Sequence, residues 1–139
     1  MNILYIAYSC APDHGSEDKI GWNIPLESAK INTVFVITKE EQREYIEKYL
    51  GEHTVENIKF YYVDIPVVYK KVFRGFLYSA RCNIWHRGAY QLAMEICQKE
   101  KIDLIHQITP VEFRSIGNYG KIPEAKFVCG PIGGAERIQ

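Results

Sequence analysis

The sequence has no apolar run near the roughly 20 residues that a membrane-spanning helix needs. Its first residues, Met1-Asn2-Ile3-Leu4-Tyr5-Ile6, lack the basic start and long apolar stretch of a secretory signal. Neither sign of charge is in excess: 17 basic and 17 acidic side chains cancel. Nucleic-acid binding driven by bulk phosphate neutralisation is therefore not expected. Cysteine is scarce and scattered. Cys10, Cys82, Cys97 and Cys129 form no Cys-x-x-Cys pair, so the usual zinc and dithiol spacings are missing. They read as reduced, buried thiols, and the expected location is cytoplasmic. Internal repeats, low-complexity tracts and linkers are also lacking.

What is present is a 139-residue chain, 47% hydrophobic and 24% charged, enough for one domain with a full core. Asn2 to Tyr8 is almost continuously apolar, as in a strand buried on both faces of a parallel sheet. After a Pro- and Gly-bearing loop, Ser16 is a suitable N-cap, and Glu17 and Asp18 suit the positive end of a helix dipole. That helix is expected to run to about Lys30, with a bend or early stop at Pro25. Thr33 to Thr38 and Ile58 to Val63 read as strands, with a surface helix over Lys39 to Leu50 ended by Gly51. Asn83 to Lys101 carries one apolar stripe through Trp85, Ala89, Leu92, Ala93, Ile96 and Cys97, the mark of a helix. Ile102 to Gln107 and Lys126 to Cys129 complete five strands, with a short helix expected over Glu112 to Tyr119. Strands alternating with helical patterns predict an α/β fold: a Rossmann-like parallel sheet with helices on both faces.

In such sheets ligands bind beyond the carboxyl ends of the strands. That selects three loops: Ser9 to Glu17, Gln107 to Arg114, and Gly130 to Arg137. The first carries Gly15 at a strand-to-helix turn, where backbone N–H groups can approach an anion. It is neither a Gly-x-Gly-x-x-Gly fingerprint nor a P-loop. The third holds the adjacent pair Gly133 and Gly134, as for close backbone approach to a ligand.

These residues, taken in order, resemble the GT4 family of glycosyltransferases. The matching pieces are Asn2-Ile3-Leu4-Tyr5-Ile6, Gly15-Ser16-Glu17, Gly21-Trp22-Asn23, Asp103-Leu104-Ile105-His106-Gln107, and Phe127 through Gly134. The resemblance spans essentially the whole chain. It implies the N-terminal, acceptor-side half of a GT-B fold, 1–139, with a C-terminal domain of the same protein holding most of the donor. The implied reaction is retaining transfer of a sugar from a nucleotide-sugar to a glycan or lipid-linked acceptor, with no bound cofactor or metal. Carried over by position, Gly15 lies near the donor diphosphate, and Ser16 and Glu17 flank the cleft. His106 is the catalytic candidate, Gln107 and Thr109 line the acceptor side, and Gly133 and Gly134 contact acceptor or sugar. Many relatives have a second histidine two positions after the first; here that position is Ile108. Strand alternation puts His106 and Ile108 on one face. The residues by themselves leave a second reading for His106, a core histidine bonded to a backbone carbonyl.

Two further readings complete the expectations. No acid occurs between Asp64 and Glu95, while Lys70, Lys71, Arg74, Arg81 and Arg87 interleave with apolar residues. Such a stretch, 66–87, suits peripheral contact with an anionic membrane, or equally a partly buried helix with a solvated basic rim. The alternative function is a non-catalytic, flavodoxin-like module that binds a nucleotide or small molecule.

Overall fold

A computed structural model of the protein describes residues 1–72 and 78–132. Five parallel strands form one sheet: β1 Asn2–Ala7, β2 Thr33–Lys39, β3 Ile58–Val63, β4 Leu104–Thr109 and β5 Lys126–Cys129. The spatial order is β3-β2-β1-β4-β5. This is the order of a Rossmann half, and it differs from the flavodoxin order, in which the third strand lies beside the first on the side away from the second.

Alternation along the strands divides the core into two layers. Leu4 and Ile6 join Phe35, Ile37 and Ile105 beneath α4, Tyr78–Lys99, which contributes Trp85, Ala89 and Ala93. Ile3, Tyr5 and Ala7 join Val34, Val36 and Ile108 beneath α1, Ser16–Ser28, and α2, Arg43–Glu52, which contribute Trp22 and Ile46. A strand covered on both faces has no polar side to show. Hence Leu4, Ile6 and Ile37 are fully buried. Each such side chain contributes about 1.5–3 kcal/mol.

The helices differ from expectation at their ends. In α1 the N-cap is Gly15, with no side-chain cap, and Ser16 is already helical. Pro25 does not stop the helix, which continues to Ser28, where the Ala29 N–H closes the last turn on the Pro25 carbonyl. Only one backbone bond is lost there, close to the end. A 3₁₀ turn, Glu40–Gln42, precedes α2, which runs through Gly51 to Glu52. The short α3, Val67–Val72, follows β3, and α4 begins at Tyr78 rather than Asn83. The helix expected over Glu112 to Tyr119 is instead two 3₁₀ turns, Phe113–Ser115 and Tyr119–Lys121. Glu112 turns its carboxylate onto the Arg114 N–H, 2.9 Å away, and Gly117 and Gly120 add no helix propensity.

Candidate functional site

Because all five strands run the same way, their carboxyl ends share one edge. At that edge the chain leaves β1 for α1 on one face, whereas β4 is followed by the 112–121 connection on the other. The topological switch point therefore lies between β1 and β4, where crevices form in doubly wound sheets. The turns after β1, β4 and β5 open along this rim as adjacent neighbours in the sheet. Gly133, Gly134 and the rest of the third loop lie outside the described residues.

The switch point carries a bulge. Ile6 pairs with Gln107, but Ala7 pairs with Thr109, leaving Ile108 as the extra residue. Bulges re-aim the side chains beside them. Here Thr109 meets Ser9: the Ser9 N–H donates to Thr109 Oγ1 at 3.0 Å, and the Thr109 hydroxyl donates to the Ser9 carbonyl at 2.8 Å. The Tyr8 N–H donates to the Thr109 carbonyl at 3.3 Å. The first turn is thus fixed to the end of β4 across the switch point. Gly21 of α1 lies against the same Ser9 carbonyl, and a Cβ there would overlap it.

Above this bulge the turn reaches Gly15. Its φ of −54° and ψ of 170° suit any residue, and a Cβ added there would meet nothing within 4 Å. Neither conformation nor crowding requires glycine at that position. Ser16 and Glu17 follow, one exposed and the other half-buried, at the positive end of α1. Across the rim, Lys39 at the end of β2 places its ammonium 4.5 Å from the centroid of the Tyr8 ring. No carboxylate lies within ion-pair distance of Lys39 among the described residues. Burial raises the Tyr8 phenol well above its ordinary range, against the opposing pull of Arg81.

The β4 side of the rim is held by Glu112. Its carboxylate accepts from the Ser79 hydroxyl at 3.0 Å, the Ser115 hydroxyl at 2.9 Å and the Arg114 N–H at 2.9 Å. Burial works against the charge, yet these bonds outweigh it, and the carboxyl titrates below the ordinary range. Gln107 is buried, and both ends of its amide are occupied. Its Nε2 donates to the Ser115 carbonyl at 2.9 Å, and its Oε1 accepts from the Gly117 N–H at 2.9 Å. Its side chain therefore supports the rim from below and does not line the opening.

His106 sits three residues before the end of β4, on the face of Tyr5 and Ile108. Its ring lies 5.5 Å from that of Tyr5, and its Nε2 is 2.9 Å from the Gly130 carbonyl. A carbonyl only accepts, so Nε2 carries the proton. The bond ties β4 to the turn after β5, where Gly130 has a φ of 157°. The structure thus brings Gly15, Ser16 and Glu17 to one rim, with Thr109 buried under the turn and Gln107 and His106 beneath it in different layers.

Sequence reasoning missed His86. It is buried on α4, donates from Nε2 to the Ser115 carbonyl at 2.8 Å, and accepts at Nδ1 from the Tyr119 hydroxyl at 2.6 Å. Burial lowers its pKa to about 4, against the favourable carbonyl bond. The one signal in the sequence is its place beside Trp85 on the apolar stripe.

Among the described residues no group of three or more His, Cys, Asp or Glu side chains is placed to hold a metal ion, and no helix is long and apolar enough to cross a membrane. No family model, curated protein or solved structure matches the chain.

Proposed function

We propose that the protein is the acceptor-side half of a retaining GT-B glycosyltransferase, working with a C-terminal domain of the same protein. The observation that carries this reading is the bulge-fixed β1/β4 switch point, with Gly15 on the turn above it for no conformational reason. A glycine free of structural demand leaves room for a ligand to approach the backbone of the α1 N-terminus. In this reading the donor diphosphate lies near Gly15, Ser16 and Glu17 border the sugar and acceptor, and the buried Thr109 holds the turn beneath them. Lys39 offers a positive charge at the rim, without a carboxylate partner among the described residues. Electrostatic stabilisation of the leaving diphosphate supplies the main catalytic term, and enclosure by the partner domain excludes water.

His106 acts here as a positioning residue. Its proton is engaged by the Gly130 carbonyl, so it fixes the start of the turn after β5. No cofactor is required; the nucleotide-sugar is a co-substrate, and the acceptor is a glycan or lipid-linked saccharide. Cytoplasmic location and peripheral membrane contact through 66–87 belong to the same proposal. Val67 and Val68 are exposed there, although Lys70 is paired with Asp64 and Arg81 with Glu41. Residues 73–77 of that stretch, including Arg74, lie outside the described residues.

The test is amide NMR of the protein titrated with a panel of uridine, guanosine and adenosine diphosphate sugars. Shifts concentrated at Ser9 to Glu17 and Thr109 to Arg114 are expected. A panel that leaves those amides unmoved overturns the proposal.

A further inference from the structure

The sheet ends in two unlike edges. β5 is the shorter, four residues with Lys126 on it, and it runs into Gly130-Pro131, where proline has no N–H to offer. β3 at the opposite edge has six residues, Ile58-Lys59-Phe60-Tyr61-Tyr62-Val63, with neither proline nor glycine. Every residue of β3 keeps some exposure, whereas β2 beside it is buried from Val34 to Thr38.

Register shows which backbone groups of β3 lie bare. Val34 pairs with Ile58, and the Val34 N–H donates to the Asn57 carbonyl at 2.8 Å. In a parallel ladder this turns the backbone groups of Asn57, Lys59, Tyr61 and Val63 towards β2. The N–H and C=O groups of Ile58, Phe60 and Tyr62 point off the sheet, and these backbone groups have no hydrogen-bond partner among the described residues. The side chains of the same residues hold the strand in place on the α2 face. Phe60 stacks on Trp22 at 5.6 Å, and the Tyr62 hydroxyl donates to Glu47 at 2.9 Å.

A bare row of donors and acceptors takes up a further strand. The residues of β3 suit a second copy of themselves. In an antiparallel pairing about a two-fold axis at Phe60, Ile58 faces Tyr62 of the second copy and Phe60 faces its own counterpart. The two residues of each such pair exchange both N–H···O bonds. Between them, on the α4 face, Lys59 comes opposite Tyr61 of the second copy, a cation beside an aromatic ring. Lys59 already lies 5.1 Å from the ring centroid of its own Tyr61. A hollow of about 160 Å³ on that face, walled by Tyr61, Leu92 and Glu95 among others, offers the incoming lysine an apolar surface for its stem and a carboxylate for its head. Lys59 is the one charged residue of β3, and it selects this register. A slip one way sets Lys59 against Lys59; a slip the other way sets Ile58 against Asp64.

We propose that the protein forms a two-fold dimer through β3, joining two sheets into one. The inference goes beyond the sugar-transfer reading and does not depend on it, since β3 lies outside the β1/β4 switch point.

Sedimentation equilibrium and amide hydrogen exchange test it together. The protein should pass from monomer to dimer as its concentration rises. In the dimer the amides of Ile58, Phe60 and Tyr62 should exchange more slowly, while those of Lys126 to Cys129 are unchanged. Lys59 is exposed, so its substitution leaves the core intact. Lys59→Glu removes the cation from both symmetric contacts and should weaken the dimer about tenfold; Lys59→Arg should keep it. A protein that stays monomeric at every concentration leaves this edge to a strand of some other chain and overturns the inference. So does a dimer whose β3 amides exchange as in the monomer, or one indifferent to Lys59→Glu.

Discussion

Ser9 and Thr109, a hundred residues apart, exchange two buried hydrogen bonds, each supplying a donor to the other. The pair joins the turn after β1 to the end of β4, and the geometry of the switch point depends on it.

Thr109→Val keeps the shape of the side chain and removes both bonds. The Ser9 N–H and carbonyl then lose their partner in a buried place, at about 2–3 kcal/mol. The unfolding free energy from urea titration should fall by that amount, the midpoint dropping at an unchanged m-value, while Thr109→Ser stays within about 1 kcal/mol of wild type.

Gly15 and Gly21 should respond in opposite ways to alanine. At Gly21 the obstacle is the Ser9 backbone, which cannot swing aside like a side chain. Gly21→Ala should destabilise by about 3 kcal/mol. Gly15→Ala has open space and an allowed backbone, so its stability should stay within about 0.5 kcal/mol of wild type. Under the proposed function it should nonetheless blunt the NMR response to nucleotide-sugars.

His86 gives the fold a pH dependence. Its folded pKa of about 4 lies below the ordinary 6.5 because burial disfavours the imidazolium. Between those values the unfolded chain takes up a proton that the folded chain refuses. Stability from this group is complete above about pH 6.5 and is lost as pH falls towards 4. The loss at pH 5 is about 2 kcal/mol. Urea titrations at pH 7 and pH 5 measure it. His86→Gln, less stable at pH 7, should lack this part of the slope; an unchanged slope would exclude His86 as its source.

The thiols should divide by burial. Cys10 and Cys82 are fully buried and Cys97 nearly so, whereas Cys129 is half-exposed. Burial pushes the Cys82 thiol up to about 12, against the lowering influence of Ser115 and Lys39, and raises Cys10 and Cys97 as well. Reaction of the native protein with an aromatic disulfide at pH 8 should be confined to Cys129, with all four reacting in denaturant. Cys129→Ser should abolish the native reaction.

The strands were legible because each is a short, β-branched and aromatic run that needs no distant partner to be recognised. The order of the sheet was not, since it depends on crossovers that no local pattern encodes. Glu112 to Tyr119 failed as a helix because Glu112, Ser115 and Gly117 bond to groups contributed by other segments, Ser79 and Gln107 among them. Such long-range partners outweigh the weak local preference. The early start of α4 was hidden for a related reason: Arg81 pairs with Glu41 of the turn before α2, forty positions away. His106 was legible as a residue with two readings, and the bond to the Gly130 carbonyl matches the one drawn from core chemistry. His86 was invisible because its two shortest hydrogen bonds run to Ser115 and Tyr119, about thirty positions downstream.

β1 leaves the ribosome before the other four strands, yet it becomes the middle strand of the sheet. Its neighbour β2 follows at once, whereas β4 is translated only from Leu104 onward. A nascent chain halted before that point carries β1 with one bare hydrogen-bonding edge, flanked by Ile3, Leu4 and Ile6. Such an edge recruits other strands unless a chaperone shields it. The switch point accordingly comes into existence late in translation, when the chain has emerged past Thr109 and can clasp Ser9.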